Sequence, residues 1–153
     1  MQRPRPSCVI DRARAEDVGR IVPLFLAYLR FYDVPANEAR ATAFLTERLL
    51  NDESVVFIAH DAGRELGFTQ LYPAFASLDQ RRLWILEDIF VAPQMRHHGI
   101  GAALLLRAEE FARATGAVRL RLETAHDNRP AQRLYEAAGW QRDEKFLVYT
   151  REL

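Results

Sequence analysis

Between Ser54 and Pro93 the chain carries three runs of β-forming residues with very little between them. "SVVFIAH" leads through "DAGR" into "ELGFTQLYPAF", the pattern of two strands joined by a tight turn at Gly63. A third apolar run, "RRLWILEDIFV", follows a few residues later and ends at Pro93. Connections this short leave no room for a crossover helix, so the consecutive strands of this stretch favour antiparallel pairing. Whatever else the chain forms is built around that meander.

The flanks supply helices. "SCVIDRA" alternates as a first strand, Ser7 to Ala13. From Ala15 to about Tyr32 the residues Val18, Ile21, Val22, Phe25, Leu26 and Leu29 recur at helical spacing, with Pro23 expected to kink or divide the helix. A second helix, about Glu38 to Leu50, carries Phe44, Leu45, Leu49 and Leu50. Beyond the meander, Ile100, Leu104, Ala108, Phe111 and Ala112 mark a helix from Gly99 to about Thr115, with Gly116 as its stop. "AVRLRLET" alternates as a strand, Pro130 to Ala138 reads as a short helix closed by Gly139, and "WQRDEKFLVYTREL" predicts one or two final strands.

The order is β-α-α-β-β-β-α-β-α-β(β), and its last β-α-β unit favours a parallel crossover. The expected fold is α/β (α+β): a mixed, mostly antiparallel sheet of six to seven strands with about four helices on its faces. The 153 residues contain no repeat, low-complexity segment or Gly/Ser-rich linker, so residues 1–153 are expected to form a single domain.

Twenty-one basic residues balance twenty-one acidic ones, so no global field points to nucleic acid or an anionic membrane as partner. No apolar run approaches the roughly 20 residues of a membrane helix. "MQRPRP" lacks the apolar core of a signal peptide, and residues 1–6 read as a frayed N-terminus. With Cys8 as the only cysteine, an internal disulfide is excluded and a cytoplasmic location is expected. No His/Cys/carboxylate cluster has metal-ligand spacing, so no metal is expected, and no nucleophile-elbow pattern supports a Ser/His/Asp triad.

"QMRHHGIGAALLL" stands where the third run gives way to a helix. Two glycines at a helix start let the backbone approach a ligand closely, and the first N–H groups there lack internal partners and suit a phosphate. Arg96 can add charge-assisted hydrogen bonds. A plain strand-to-helix turn would carry the same glycines. A dinucleotide fingerprint needs a third glycine where Leu104 stands, although Glu123 lies at a suitable distance for a ribose contact; a Walker loop needs Gly-Lys-Ser/Thr, which is absent.

Two stretches together carry a family resemblance. "RHHGIG", residues 96–101, matches the R/Q-x-x-G-x-G/A signature of the Gcn5-related N-acetyltransferases (GNAT), placed after a strand and at the opening of a helix as in that family. About thirty residues on, "DNRPAQRLYEAAGW" resembles the family's second signature, N-x-x-A-x-x-x-Y-x-x-x-G-[FW]. The resemblance runs from about Val9 to Tyr149. "LEDIFVAPQMRHHGIG" is further similar to the diamine (spermidine/spermine and thialysine) N-acetyltransferases, as is "LAYLRFYDVP", and the histone/polyamine acetyltransferase-like proteins are similar too.

The resemblance implies acetyl-CoA as co-substrate, with its pyrophosphate cradled by Arg96, His97, His98, Gly99, Ile100, Gly101 and Ala102. The two histidines serve chiefly through their backbone. It implies that the backbone of Ile89, Phe90 and Val91 holds the acetyl and pantetheine portion, where an N–H can act as an oxyanion donor. Asn128 and Ala131 match positions along the pantetheine, and Asn128 also suits a helix N-cap before Pro130. Tyr135 matches the tyrosine that protonates the leaving thiolate; a phenol stays protonated at neutral pH and can donate.

Glu87 matches the glutamate of the diamine branch that takes the amine proton, and a solvated strand carboxylate is the plainer reading of the same residue. Asp88, one position on, is expected to face the other way. Phe31, Tyr32 and Asp33 fall where an acceptor mouth would hold a cationic amine. The acidic residue stands one position off the diamine pattern, and Arg81 and Arg82 would oppose a polycation.

The activity implied is transfer of acetyl from acetyl-CoA to a primary amine of a small molecule, a polyamine or lysine-like amine, by direct attack in a ternary complex. A protein or peptide amine is the rival acceptor, and a non-catalytic acyl-CoA sensor is the rival of another class. Many members of the family are dimers, so a homodimer is expected by analogy.

Overall fold

In a computed structural model, residues 8–153 are described. The first residue of the expected first strand, Ser7, and the expected frayed end lie outside them. The chain divides after Glu123 into two compact units.

The first unit is built on a five-stranded sheet in the order β1 (Val9–Arg12), β2 (Val55–Asp61), β3 (Arg64–Ala76), β4 (Arg81–Val91) and β5 (Leu120–Arg121). The first four pair antiparallel, and β5 joins β4 in parallel through Trp84↔Leu120 and Ile85↔Arg121. The tight β2–β3 turn has Ala62 and Gly63 both at positive φ, 48° and 77°, the backbone of a two-residue hairpin turn matched to strand twist.

Helices α1 (Val18–Phe31) and α2 (Glu38–Leu50) lie on one face and α3 (Ile100–Ala114) on the other. Adjacent residues of β2 show this: Val56 and Ile58 belong to the core formed with Ile21, Phe25 and Leu45, whereas the Phe57 ring meets Phe111 of α3 at 5.6 Å. Trp84 meets the same Phe111 at 5.0 Å and donates to Thr115 Oγ1 at the end of α3.

Three expectations are corrected. Pro23 does not divide its helix. Its ring sits on the exposed side of α1, as does Gly19, whose carbonyl loses its helical partner and can turn to water. The chain enters α1 through one 3₁₀ turn, Ala15–Asp17. The sheet has five strands among the described residues instead of six to seven, and the run read as a strand from Ala117 keeps only two ladder residues.

The second unit contains α4 (Arg129–Ala137) and no strand among its described residues. Residues 140–153, expected to hold one or two strands, form none; Asp143 accepts from the backbone N–H of Lys145 and Phe146 and turns the chain there. Phe146, Leu147, Val148 and Tyr149 are exposed.

Candidate active site

β4 is irregular at one place. Gln70 pairs with Asp88 and Leu71 with Leu86, so Glu87 is an extra residue without a partner on β3. Such a bulge reverses the alternation of side chains beyond it. Trp84 therefore packs on the α3 face, while Phe90, six residues later, meets Tyr28 of α1 at 6.3 Å. Regular pleating would have put both on one face.

The other edge of β4 is paired over a shorter length still. Its ladder to β5 reaches only Ile85, and among the described residues the backbone of 86–91 has no strand on that side. Ala92 N–H donates to the Leu66 carbonyl, so by the antiparallel alternation the backbone groups of Phe90 go to β3, and those of Ile89 and Val91 face the open edge, in the segment where the family resemblance implies an acyl group.

At the end of that edge the chain passes through Pro93–Met95 in a 3₁₀ turn and reaches α3. His97 and Gly99 are both left-handed, with φ of 66° and 80°. Gly99 is the N-cap and offers no side chain, so nothing caps the helix, and the first i→i+4 bond runs from Ala103 N–H to Gly99 C=O. The amides of Ile100, Gly101 and Ala102 have no intrahelical acceptor, and with the positive end of the helix dipole they suit an anionic oxygen cluster. His97 and His98 are exposed, and His98 Nδ1 lies 2.7 Å from the Arg96 carbonyl, which braces the loop.

Arg96 ties this loop to its surroundings. Its Nε donates to the Val91 carbonyl at 3.1 Å, and its guanidinium lies 5.5 Å from the Phe31 ring and 5.6 Å from the Phe90 ring. One N–H of the expected phosphate ligand is thereby committed to the end of β4, while its terminal nitrogens make no hydrogen bond to the described residues. Phe31 meets Tyr32 at 5.0 Å, and Tyr32 meets Tyr28 at 5.1 Å, so the end of α1 forms an aromatic rim beside Arg96. Asp33 stands exposed in the turn beyond, left-handed at φ 56°.

The two neighbouring carboxylates part company. Glu87 is exposed, and partial burial, then Asp88, then Glu123 raise its carboxyl above the ordinary range. Asp88 is 6% exposed. Burial raises its carboxyl too, against hydrogen bonds from Gln70 and Tyr28 that favour the ionised form. Gln70 Nε2 donates to Asp88 Oδ2 at 2.7 Å, and Thr69 Oγ1 to the Asp88 carbonyl at 2.8 Å. Tyr28 and Tyr72 are both pushed well above the usual phenol range, first by burial and then by Asp88, so both phenols stay protonated.

Thr69, Gln70 and Tyr28 were not singled out from sequence. The available signal was "TQ", two polar residues inside an otherwise apolar strand. Arg81 is exposed and donates to the Gly116 carbonyl, while Arg82 stacks on Phe75 and Trp84, at 5.2 Å from each ring.

In the second unit, Asn128 is the N-cap of α4, its Oδ1 accepting from Ala131 N–H at 3.3 Å. Tyr135 is buried on that helix, its ring 6.1 Å from Trp140, and Gly139 follows at φ 89°. Among the described residues no group of three or more His, Cys, Asp or Glu could hold a metal ion, and no helix is long and apolar enough to cross a membrane. Burial, then Asp61, raises the Cys8 thiol, which disfavours a thiolate.

The acetyltransferase (GNAT) family model matches residues 21–140. The chain is 44% identical over 140 residues to an uncharacterized N-acetyltransferase, YhfO, of Bacillus subtilis (strain 168), spanning 92% of this chain and 94% of that one. It is 35% identical over 137 residues to a probable acetyltransferase of Haemophilus influenzae, spanning 82% and 94%. A crystal structure of a probable acetyltransferase superposes with a TM-score of 0.90 at 40% identity, covering 95% of this chain and 97% of the other.

Proposed function

The chain belongs to the acetyltransferase (GNAT) family, and from that premise we propose that it moves acetyl from acetyl-CoA to a primary amine of a small molecule, a polyamine or lysine-like amine, by direct attack within a ternary complex. The observation that carries the reading is the open edge of β4 at residues 86–91, running into an uncapped helix start at Gly99–Ala102. An edge with no strand laddered to it suits a pantetheine and a thioester carbonyl; uncapped amides suit a pyrophosphate.

The residues act as follows. Glu87 accepts a proton from the substrate ammonium, directly or through one water, because only the neutral amine has the lone pair that attacks. Its raised pKa brings it towards neutral pH, where a base is most effective. Backbone N–H groups of Ile89 and Val91 stabilise the oxyanion as the C–N bond forms. As the C–S bond breaks, Tyr135 gives its phenolic proton to the sulfur, and the proton released by the amine balances the exchange. Phe31 and Tyr32 receive the body of the acceptor, with Asp33 at its charged end. Asn128 and Ala131 follow the pantetheine, as their match to the second signature suggests. The whole chain serves as one catalytic domain, in the cytoplasm and as a homodimer.

A panel of amines with acetyl-CoA, followed by release of free thiol, tests this. Turnover is expected with diamines or lysine analogues. Turnover with peptide lysines alone would replace the acceptor. Tight acetyl-CoA binding with no thiol release from any amine would make the protein an acyl-CoA sensor.

A further inference from the structure

We infer that Asp88 is a positioning residue for the transfer: tied to β3 through its carboxylate and its carbonyl, it holds the β4 bulge in the form that turns Glu87 to solvent and leaves the following strand edge open. The inference rests on the reading of Glu87 as proton acceptor.

Three observations meet at this residue. Asp88 is anchored twice, by Gln70 Nε2 to its carboxylate and by Thr69 Oγ1 to its carbonyl, at 2.7 and 2.8 Å. Thr69 and Gln70 are fully buried neighbours on the β3 side of the register shift, so the two bonds pin the bulge from the strand it slips against. A bulge held by ladder bonds alone could slide by a residue, and a slide would exchange the faces of Glu87 and Asp88.

The second observation is cost. Asp88 is buried with no cation beside it among the described residues. The polar and charged groups around this cluster are Tyr28 and Tyr32 from α1, Gln70 and Tyr72 from β3, Glu87 beside it and Glu123 after β5; Arg48 of α2 acts on Tyr72. A core built for stability alone would place an apolar side chain here. The third observation is that Gln70 Oε1 is buried with no partner. Gln70 is thus held for the one bond it donates, which goes to Asp88. Buried, half-satisfied groups of this kind persist where function uses them.

The arrangement also gives Asp88 an electrostatic reach. Its charge lies beside Glu87 in the chain, and Glu123 adds a second, weaker repulsion, both opposing ionisation of Glu87 beyond the effect of burial. Removing the Asp88 charge lowers the Glu87 pKa, so the acidic limb of the rate profile moves to lower pH.

The test is kcat and kcat/KM against pH for an accepted amine, with acetyl-CoA affinity by calorimetry. Asp88→Asn keeps an acceptor for Gln70 and removes the charge. The limb is expected to move down by about half to one pH unit, with acetyl-CoA affinity unchanged. Thr69→Val removes the bond to the Asp88 carbonyl and is expected to lower kcat about three- to tenfold, with Thr69→Ser restoring it. A limb that stays in place in Asp88→Asn while Glu87→Gln abolishes it overturns the electrostatic part. Wild-type turnover in Thr69→Val overturns the anchoring, and this variant decides even if Asp88→Asn does not fold. A profile unaltered in Glu87→Gln removes the reading of Glu87 itself.

Discussion

Gly67 stands opposite Val91, where β3 passes the end of β4. A Cβ added there would lie 2.6 Å from the Phe90 carbonyl oxygen, 3.2 Å from Val91 Cα and 3.4 Å from Leu104 Cδ1. The first two are backbone atoms, which no rotamer change can move. A carbon sits comfortably about 3.3–3.6 Å from a carbonyl oxygen, so Gly67→Ala must drive β4 back by most of an ångström at this point. Overpacking of this kind costs about 1–3 kcal/mol. For a chain of 153 residues each kcal/mol corresponds to about 2–4 °C, so the melting temperature should fall by about 2–12 °C. The retreat displaces Phe90 and Val91, whose edge is assigned to the thioester, and misplacement on that scale can lower kcat/KM by up to about a hundredfold.

Thermal unfolding followed by circular dichroism, with thiol release on the same samples, measures both. Gly19→Ala is the control. It lies on the exposed side of α1 with nothing within 4 Å of an added Cβ, and should stabilise by about 0.5–1 kcal/mol. A Gly67→Ala protein that melts with the wild type would refute the close approach as the reason for glycine. Lost stability with wild-type kcat/KM would refute the link between this contact and the open edge.

Gly99→Val forces a β-branched residue into φ 80° and narrows the helix start; acetyl-CoA should bind at least about tenfold more weakly, and unchanged calorimetry would refute the cradle. Tyr135→Phe should lower kcat by about 10²–10⁴-fold while leaving acetyl-CoA affinity intact, and equal turnover would remove it as the acid. Asp88 and Glu87 have raised carboxyl pKa values in the fold, so the protonated forms favour the folded state. Their stabilising effect is complete below the unfolded values near 4 and is lost as pH rises through the folded ones. Chemical denaturation of the wild type should therefore show stability falling with pH across that window, and Asp88→Asn should flatten the slope; an equally steep slope in the variant would contradict the assignment.

Much of the architecture was present in local pattern. Glu38–Leu50 is helical over the span its apolar spacing predicts, with Asn37 capping it. Gly63, Gly99, Gly116 and Gly139 adopt the positive φ that turns, helix starts and helix stops require. Such features depend on residues within one turn of one another, which a sequence displays directly. The turn before α3 was legible for the same reason, since "RHHGIG" is contiguous and its backbone conformation is a local property.

The acceptor side was not legible in that way. "LEDIFV" sets two adjacent carboxylates in an apolar run, and nothing within it says that Glu87 is the extra residue. The bulge exists only because Gln70 and Leu71 take Asp88 and Leu86 as partners. That pairing buries Asp88 against Tyr28 and turns Glu87 to solvent, while on the other edge the ladder to β5 ends at Ile85, so the strand expected from Ala117 keeps two ladder residues. Pro23 is tolerated because tertiary packing faces it outward, and the apolar run Phe146–Tyr149 is exposed and joins no ladder among the described residues. The sequence by itself determined the helices, the β2–β3 hairpin and the glycine turn before α3, because those follow from short-range backbone preferences. Only the tertiary structure decided which carboxylate is buried and where the sheet opens, because strand register is set by a partner distant in sequence.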